Sequence, residues 1–286
     1  MTILSARDAA TVVAACDFTR ELLDTLGPVL LAGHTVFHRK DDGSVVSDID
    51  HTVQQAFVTG ITDTFVGHEV LSEEGLCDSG TSRWRWVIDP LDGTSNFTSG
   101  LPFWCVSVAL TLNGMPVMAV VDAPALNMRV WATAGGGTFA RINGNTSPVT
   151  VREPVGLFDE SQRQIPLMLT PTTLVTARKA KVSLRQRVLG ATALDLAYVA
   201  LGVAAGSVAV VPHVWDVAAG VLLVREAGGV VLSVPDVLLP VLPDTAYVNR
   251  QAAVVAAPSF VAATTLAKTV LADTVHNTLS RLWADG

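Results

Sequence analysis

Residues 86–97 read Trp-Val-Ile-Asp-Pro-Leu-Asp-Gly-Thr-Ser-Asn-Phe, an apolar strand that runs into two carboxylates three positions apart and then into a Gly-Thr helix start. Pro90 removes a backbone donor and fixes φ, so the chain turns after Asp89 and leaves Asp89, Asp92 and the Leu91 carbonyl free to converge on a hard cation. Oxygen donors at this spacing suit Mg²⁺. Gly93 and Thr94 follow in the first turn of a helix, where free N–H groups and the positive dipole end favour a phosphate oxygen. One short segment therefore offers a cation site and an anion site side by side.

Taken alone, Asp-Pro-Leu-Asp-Gly-Thr is also a plain turn, since Asp, Pro and Gly are all turn formers. Further segments weigh against that. Gly43-Ser44-Val45-Val46-Ser47-Asp48-Ile49-Asp50 and Leu71-Ser72-Glu73-Glu74-Gly75 lie upstream. His213-Val214-Trp215-Asp216-Val217-Ala218-Ala219-Gly220 and Glu226-Ala227-Gly228-Gly229 lie far downstream. Together and in this order, they resemble the inositol monophosphatase family of Mg²⁺-dependent, lithium-sensitive phosphomonoesterases, over nearly the whole chain.

The resemblance implies an α/β layered fold, the αβαβα sandwich of the inositol monophosphatase and fructose-1,6-bisphosphatase type. It also implies a site of two or three Mg²⁺ ions between two halves, residues 1–152 and 153–286. Glu73, Asp89 and the Leu91 carbonyl would hold the first ion, and Asp89, Asp92 and Asp216 the second. Thr94, oriented by Asp50, would bond the attacking water and help pass its proton, with Glu73 assisting. Gly93 and Thr94 would bind phosphate. Gly190, Ala191 and Thr192, with Asp92 and Asp216, would meet the substrate. Lys40, in a polar loop, would help hold a third ion or its water. Without the resemblance, Asp216 and Asp50 read as helix-capping carboxylates, Thr94 as a cap and the Glu73-Glu74 pair as solvated loop.

The reaction expected is hydrolysis of a small phosphate monoester by metal-activated water, with no covalent phosphoenzyme. Ala191 stands where a hydroxyl residue often follows the glycine in similar proteins. Inositol-selective relatives carry an acidic residue a few positions before Trp-Asp, where this chain has Val208-Ala209-Val210-Val211-Pro212. Inositol phosphate is therefore not a safe assignment. Val210 and Val211 read either as an apolar pocket wall or as a buried strand facing away. The alternatives are a nucleotide 3′-phosphatase of the phosphoadenosine phosphate type, a histidinol-phosphate or sugar phosphatase, and a catalytically silent regulatory member. A basic run, Arg178, Lys179, Lys181, Arg185 and Arg187, reads as a solvated face or as the border of a pocket for a second anionic group.

Composition narrows the remaining classes. The chain has 286 residues and a net charge of −7, which argues against general nucleic-acid affinity. Mean hydropathy is +0.44, yet the uncharged stretches 94–121 and 196–215 are broken by Pro and Gly, so buried strands and helices are expected rather than membrane spans. Cys16, Cys77 and Cys105 are scattered and odd in number, consistent with core thiols and not with a disulfide framework. A cytoplasmic protein and, by analogy, a homodimer are expected, with a small-molecule phosphate as its partner.

Periodicity predicts a helix over residues 5–31 ending near Gly27-Pro28 and a helix over 50–66. An antiparallel meander should follow over 104–131, and then an irregular connection over 153–173. The second half should alternate: a strand at Leu174-Val175-Thr176, a helix over 194–205, a strand over 208–211, a helix over 217–227, a strand over 230–232 and a terminal helix over 260–283.

Overall fold

In the computed structural model, the residues described are 4–32, 37–39, 45–73, 75–77, 82–151, 165–171, 173–174, 177, 184–210, 212–234 and 253–271. The first helix, α1, spans Ala6–Ala32. A short antiparallel pair follows, β1 (Phe37–Arg39) and β2 (Val45–Ser47), and leads into α2 (Asp48–Thr64). The first large sheet contains β3 (Glu69–Ser72), β4 (Gly75–Cys77), β5 (Trp84–Asp92), β6 (Cys105–Leu112), β7 (Met115–Ala123), β8 (Met128–Thr133), β9 (Gly137–Ile142) and β10 (Asn145–Val149). Its order is β10-β9-β8-β7-β6-β5-β3-β4; β3 and β5 run parallel, and the rest forms the expected meander. A five-residue helix, α3 (Thr94–Thr98), leaves the end of β5.

The second sheet has the order β12-β11-β13-β15-β14. Its strands are β11 (Leu167–Leu169), β12 (Gln186–Arg187), β13 (Gly206–Val210), β14 (Val230–Val234) and β15 (Ala253–Ala257). Helices α4 (Thr192–Ala200) and α5 (Val214–Glu226) lie between the two sheets, and α6 (Phe260–Val270) covers the outer face of the second. Three apolar clusters cement these layers. One joins α1 and α2 to the first sheet through Leu23, Phe57, Trp86 and Ile88. A central one sets α4 and α5 against Val87, Ala109, Val121 and Val254. The third packs α6 on Leu167, Val208 and Val255. The result is the expected α/β/α/β/α layering, and no helix among the described residues is long and apolar enough to cross a membrane.

Several elements depart from the sequence expectation. Helix α1 continues through Pro28 to Ala32. A proline inside a helix costs about 3 kcal/mol, but Leu26 and Leu30 in the same turns are 7% and 1% exposed. Burying each contributes about 1.5–3 kcal/mol, enough to carry the helix past the break. Leu174, read as strand, is helical together with Pro171, Thr173 and Ala177. Thr170 starts that turn: its hydroxyl accepts from Thr173 N at 3.4 Å and its carbonyl from Leu174 N at 3.0 Å, with Pro171 in the first helical position. The cap outweighs the β-branched composition.

The strand of this region is instead β11, inside the stretch read as irregular connection; it is buried and paired with β12 and β13. Helix α4 ends at Ala200 rather than 205, where Leu201-Gly202 turns the chain. Helix α5 begins at Val214 rather than 217, because His213 is its N-cap. The terminal helix is described to Val270, and residues 272–286 lie outside the described set, as do Lys40, Glu74, Val211, Arg178, Lys179 and Lys181.

Candidate active site

The site begins as a fault in the β5–β6 ladder. Asp89 pairs with Ser107 and Asp92 with Cys105, so two residues of β5 oppose one of β6. Pro90, which has no N–H to donate, sits in that fault. Residues three apart in a regular strand face opposite sides; the extra residue reverses the alternation. Val87 belongs to the central cluster, while Ile88 and Leu91 pack on the α1–α2 side. Asp89 and Asp92 consequently share the face toward α4 and α5. Both are buried, at 2% and 9% exposure.

Each carboxylate is anchored by backbone. Asp89 Oδ1 accepts from Leu91 N at 3.0 Å, and Asp92 Oδ2 accepts from Ala193 N, in the first turn of α4, at 2.7 Å. Asp216 is the third residue of α5 rather than its cap. Its Oδ2 accepts from His213 N at 2.9 Å, closing a reciprocal capping box with the His213 side chain. Glu73 follows the end of β3, its N–H donating to Ile88 O at 3.2 Å. Asp50 lies in the first turn of α2 at 1% exposure.

Proximity among these groups is expressed in their proton affinities. Burial raises Asp89 well above the usual carboxylate range, and Asp92, Glu73 and Asp216 add to the shift; the Leu91 N–H opposes it. Asp92 is pushed up to about 7 by burial, with Glu73 adding and the Ala193 and Thr192 N–H groups resisting. Asp216 is likewise raised, by burial first and then by Asp92 and Glu73, against the His213 N–H. Four carboxylates crowded in one buried region, all with hard oxygen donors, fit a divalent cation of the Mg²⁺ type. Among the described residues, no group of three or more His, Cys, Asp or Glu side chains is arranged to hold a metal ion as it stands.

The turn expected from the sequence to take an anion is formed by Gly93 and α3. Gly93 has φ +90°, and a Cβ there would stand 2.8 Å from Phe103 O and 3.2 Å from the Ala191 side chain, so only glycine fits the turn. The Thr94 hydroxyl donates to Leu91 O at 2.9 Å, on the carbonyl expected among the cation ligands. Gly190, Ala191 and Thr192 form the segment entering α4, beside Gly93 and Asp92. Val210 is half-buried and packs into the cluster under α6, so of the two readings of this position the structure favours the buried strand.

Three neighbours of the site carry no distinct signal in the sequence. The Cys105 thiol lies 3.9 Å from Asp92 Oδ2, and burial, followed by Asp92, pushes that thiol up. Asp195, on α4, is 2% exposed, and its Oδ1 has no hydrogen-bond partner. His213 stacks on Trp215 with ring centroids 4.7 Å apart and planes 5° from parallel, while the Trp215 carbonyl accepts from Ser107 Oγ at 3.3 Å.

Comparison with known proteins sets the chain in a wider kinship. A protein of Thermotoga maritima described as fructose-1,6-bisphosphatase/inositol-1-monophosphatase is 36% identical over 219 residues, 75% of this chain and 83% of that protein. The Nus factor SuhB of Xylella fastidiosa is 39% identical over 194 residues, 65% of this chain and 67% of its own. The solved extragenic suppressor protein suhB of Bartonella henselae superposes with a TM-score of 0.76 at 26% identity, covering 90% of this chain and 98% of that one. The model of the inositol monophosphatase family matches residues 12–278. With the layered fold and the acidic strand end as its structural counterpart, the chain belongs to the inositol monophosphatase family.

Proposed function

We propose that this protein hydrolyses a small-molecule phosphate monoester with Mg²⁺ as its cofactor. The observation that carries the reading is geometric: the fault at Pro90 turns Asp89 and Asp92 to one face, where Asp92, Glu73 and Asp216 stand near enough to raise the proton affinity of Asp89. Glu73, Asp89 and the Leu91 carbonyl would hold one ion, and Asp89, Asp92 and Asp216 a second. When bound, Mg²⁺ supplies charge neutralisation for the phosphoryl group, activation of water and stabilisation of the leaving oxygen.

The chain's own contribution is placement. The fault at Pro90 turns two carboxylates to one face, and the first turns of α4 and α5 fix Asp92 and Asp216 through backbone N–H donors. Gly93 and Thr94 offer backbone N–H groups to a phosphate oxygen. Thr94, with Asp50, would hold the attacking water and take up its proton. Gly190, Ala191 and Thr192 would border the alcohol.

The test is phosphate release from a panel of inositol, nucleotide, histidinol and sugar phosphates, with and without Mg²⁺. Mg²⁺-dependent turnover that LiCl inhibits at matched ionic strength supports the reading. No turnover on any member would favour the second reading, a regulatory protein, which the kinship to a Nus factor SuhB supports.

A further inference from the structure

We infer that Asn96 is a positioning residue: its side-chain amide clasps the segment 189–193 to the phosphate-binding turn and thereby sets the wall that meets the substrate's alcohol. This rests on the phosphatase reading for the role of that wall, though the clasp itself does not. Asn96 Nδ2 lies 2.6 Å from Phe103 O and 2.6 Å from Leu189 O. Carbonyl oxygens have no proton to give, so the amide must present its NH₂ group, one hydrogen for each. One side chain thus bridges α3, the approach to β6, and a segment 93 residues away.

The backbone around Asn96 makes the clasp rigid. Its N–H donates to Gly93 O at 2.8 Å, and its carbonyl accepts from Leu101 N at 2.9 Å. The segment it holds is short and tied at its other end by Ala193 N to Asp92 Oδ2 at 2.7 Å. Both anchors of residues 189–193 therefore come from within 92–96, five residues that also carry the phosphate-binding turn. Between the anchors, Gly190 has φ +83°, and a Cβ there would approach Asn96 Nδ2 to 3.1 Å; Ala191 lies against Gly93. Shape and donor pattern both place this wall with respect to Gly93, and among the described residues Asn96 supplies an anchor that lies outside the carboxylate cluster.

The consequence is a division of labour. Loss of the amide should loosen the wall while leaving the carboxylates and the phosphate-binding N–H groups in place. Asn96→Ala removes both donors. Asn96→Asp keeps the shape but sets a carboxylate against two carbonyl oxygens, so it should fail like alanine, whereas a packing role would survive it.

The experiment has an arm that needs no turnover. In the metal-free protein, amide hydrogen exchange of residues 189–193 should quicken about tenfold in both variants while α1 and α2 keep wild-type protection. In the Mg²⁺-loaded enzyme, KM for monoesters should rise about tenfold, kcat should change less than about threefold, and inhibition by inorganic phosphate should stay within about twofold. In wild type, the Asn96 side-chain NH₂ protons should exchange slowly by NMR, a measurement that stands if either variant fails to fold. Rapid exchange of those protons, unchanged protection at 189–193, or full recovery with Asn96→Asp would overturn the clasp. Quickened exchange at 189–193 in the variants, with no turnover by wild type on any phosphate, would uphold the clasp and sink the phosphatase reading instead.

Discussion

The backbone N–H of Ala193 donates to Asp92 Oδ2 at 2.7 Å, joining residues 101 positions apart. A carboxylate at the start of a helix is stabilised by the dipole as well as by the bond itself, so Asp92 serves the architecture before it serves any cation. An asparagine can accept the same hydrogen bond through its amide oxygen but brings no charge. Asp92→Asn should therefore fold, lose at least about 10²-fold in Mg²⁺-dependent turnover, and melt higher than wild type when metal-free at pH 8. Asp92→Ala should lose both activity and stability. Thermal melts of the two variants, paired with phosphate release, separate the roles; near-wild-type turnover in Asp92→Asn would remove Asp92 from the mechanism.

The crowded carboxylates also predict how stability varies with pH. Asp89, Asp92 and Asp216 have folded proton affinities above the ordinary value near 4. Between that value and the raised ones, about 7 for Asp92, the folded state holds more protons than the unfolded chain, so stability falls as pH rises. The metal-free protein should melt progressively lower from pH 5 to pH 8. Mg²⁺ should restore more stability at pH 8 than at pH 5, because protons compete for the same oxygens. At a hundredfold excess over its dissociation constant, it contributes about 2.7 kcal/mol. A Mg²⁺ effect independent of pH would argue that the cation binds elsewhere.

Much of this site was legible because its residues are local. Asp89, Pro90, Asp92 and Gly93 carry their turn chemistry within five positions, and the meander after them is marked by Asn-Gly and alternating apolar residues. Long-range partners were not legible. Nothing in Ser-Asn-Phe announces that Asn96 reaches Leu189, since an amide's acceptors are chosen by the fold. The strand misplaced at Leu174 has a different cause: Leu174-Val175-Thr176 looks like strand by its β-branched composition, while the Thr170 cap and Pro171 that turn Leu174 into helix look like loop. Pro28 misled in the opposite sense, because the burial of Leu26 and Leu30 that carries α1 past it is a tertiary effect.

Asp195 offers a test of buried charge beside the site. Its Oδ1 is buried without a hydrogen-bond partner, and burial, followed by Asp92, raises its proton affinity well above the carboxylate range. Ionising it in the fold is costly, and the cost grows as pH rises above the unfolded value. Asp195→Asn cannot ionise, so the variant should gain about 1–3 kcal/mol over wild type at pH 8, and less at pH 5. For a chain of this size, each kcal/mol moves the melting temperature by about 2–4 °C. A variant less stable than wild type at pH 8 would mean that the aspartate is ionised and satisfied in the folded protein.

Helix α5 should depend on its far end as well as on its capping box. Glu226 accepts from Gly135 N and Gly137 N, each at 3.0 Å, and so ties the C-terminal turn of α5 to the β8–β9 turn. Removing the side chain leaves two N–H groups without that acceptor at a partly exposed position. Glu226→Ala should cost about 1–2 kcal/mol and lower Mg²⁺ affinity only slightly, because Asp216 sits at the other end of the helix. A large loss of Mg²⁺ affinity with an unchanged melting temperature would show that the tie positions Asp216 rather than supports the fold.

The last prediction concerns the apolar stretch before Trp215. Val208 is fully buried, and Val210, two positions on and hence on the same face of β13, packs with it into the cluster of Leu167, Val255 and Leu266. A glutamate at 210 would meet α6-side core rather than a substrate hydroxyl. Val210→Glu should therefore lower the melting temperature by several degrees, in line with about 1–3 kcal/mol for a poorly satisfied polar group. It should leave the ratio of kcat/KM for inositol 1-phosphate to that for less hydroxylated phosphates unchanged. Steady-state kinetics on wild type and variant, run below the variant's melting temperature, supply that ratio. A selective gain for inositol 1-phosphate, with stability intact, would return Val210 to the pocket and make this strand the reader of the substrate's hydroxyls.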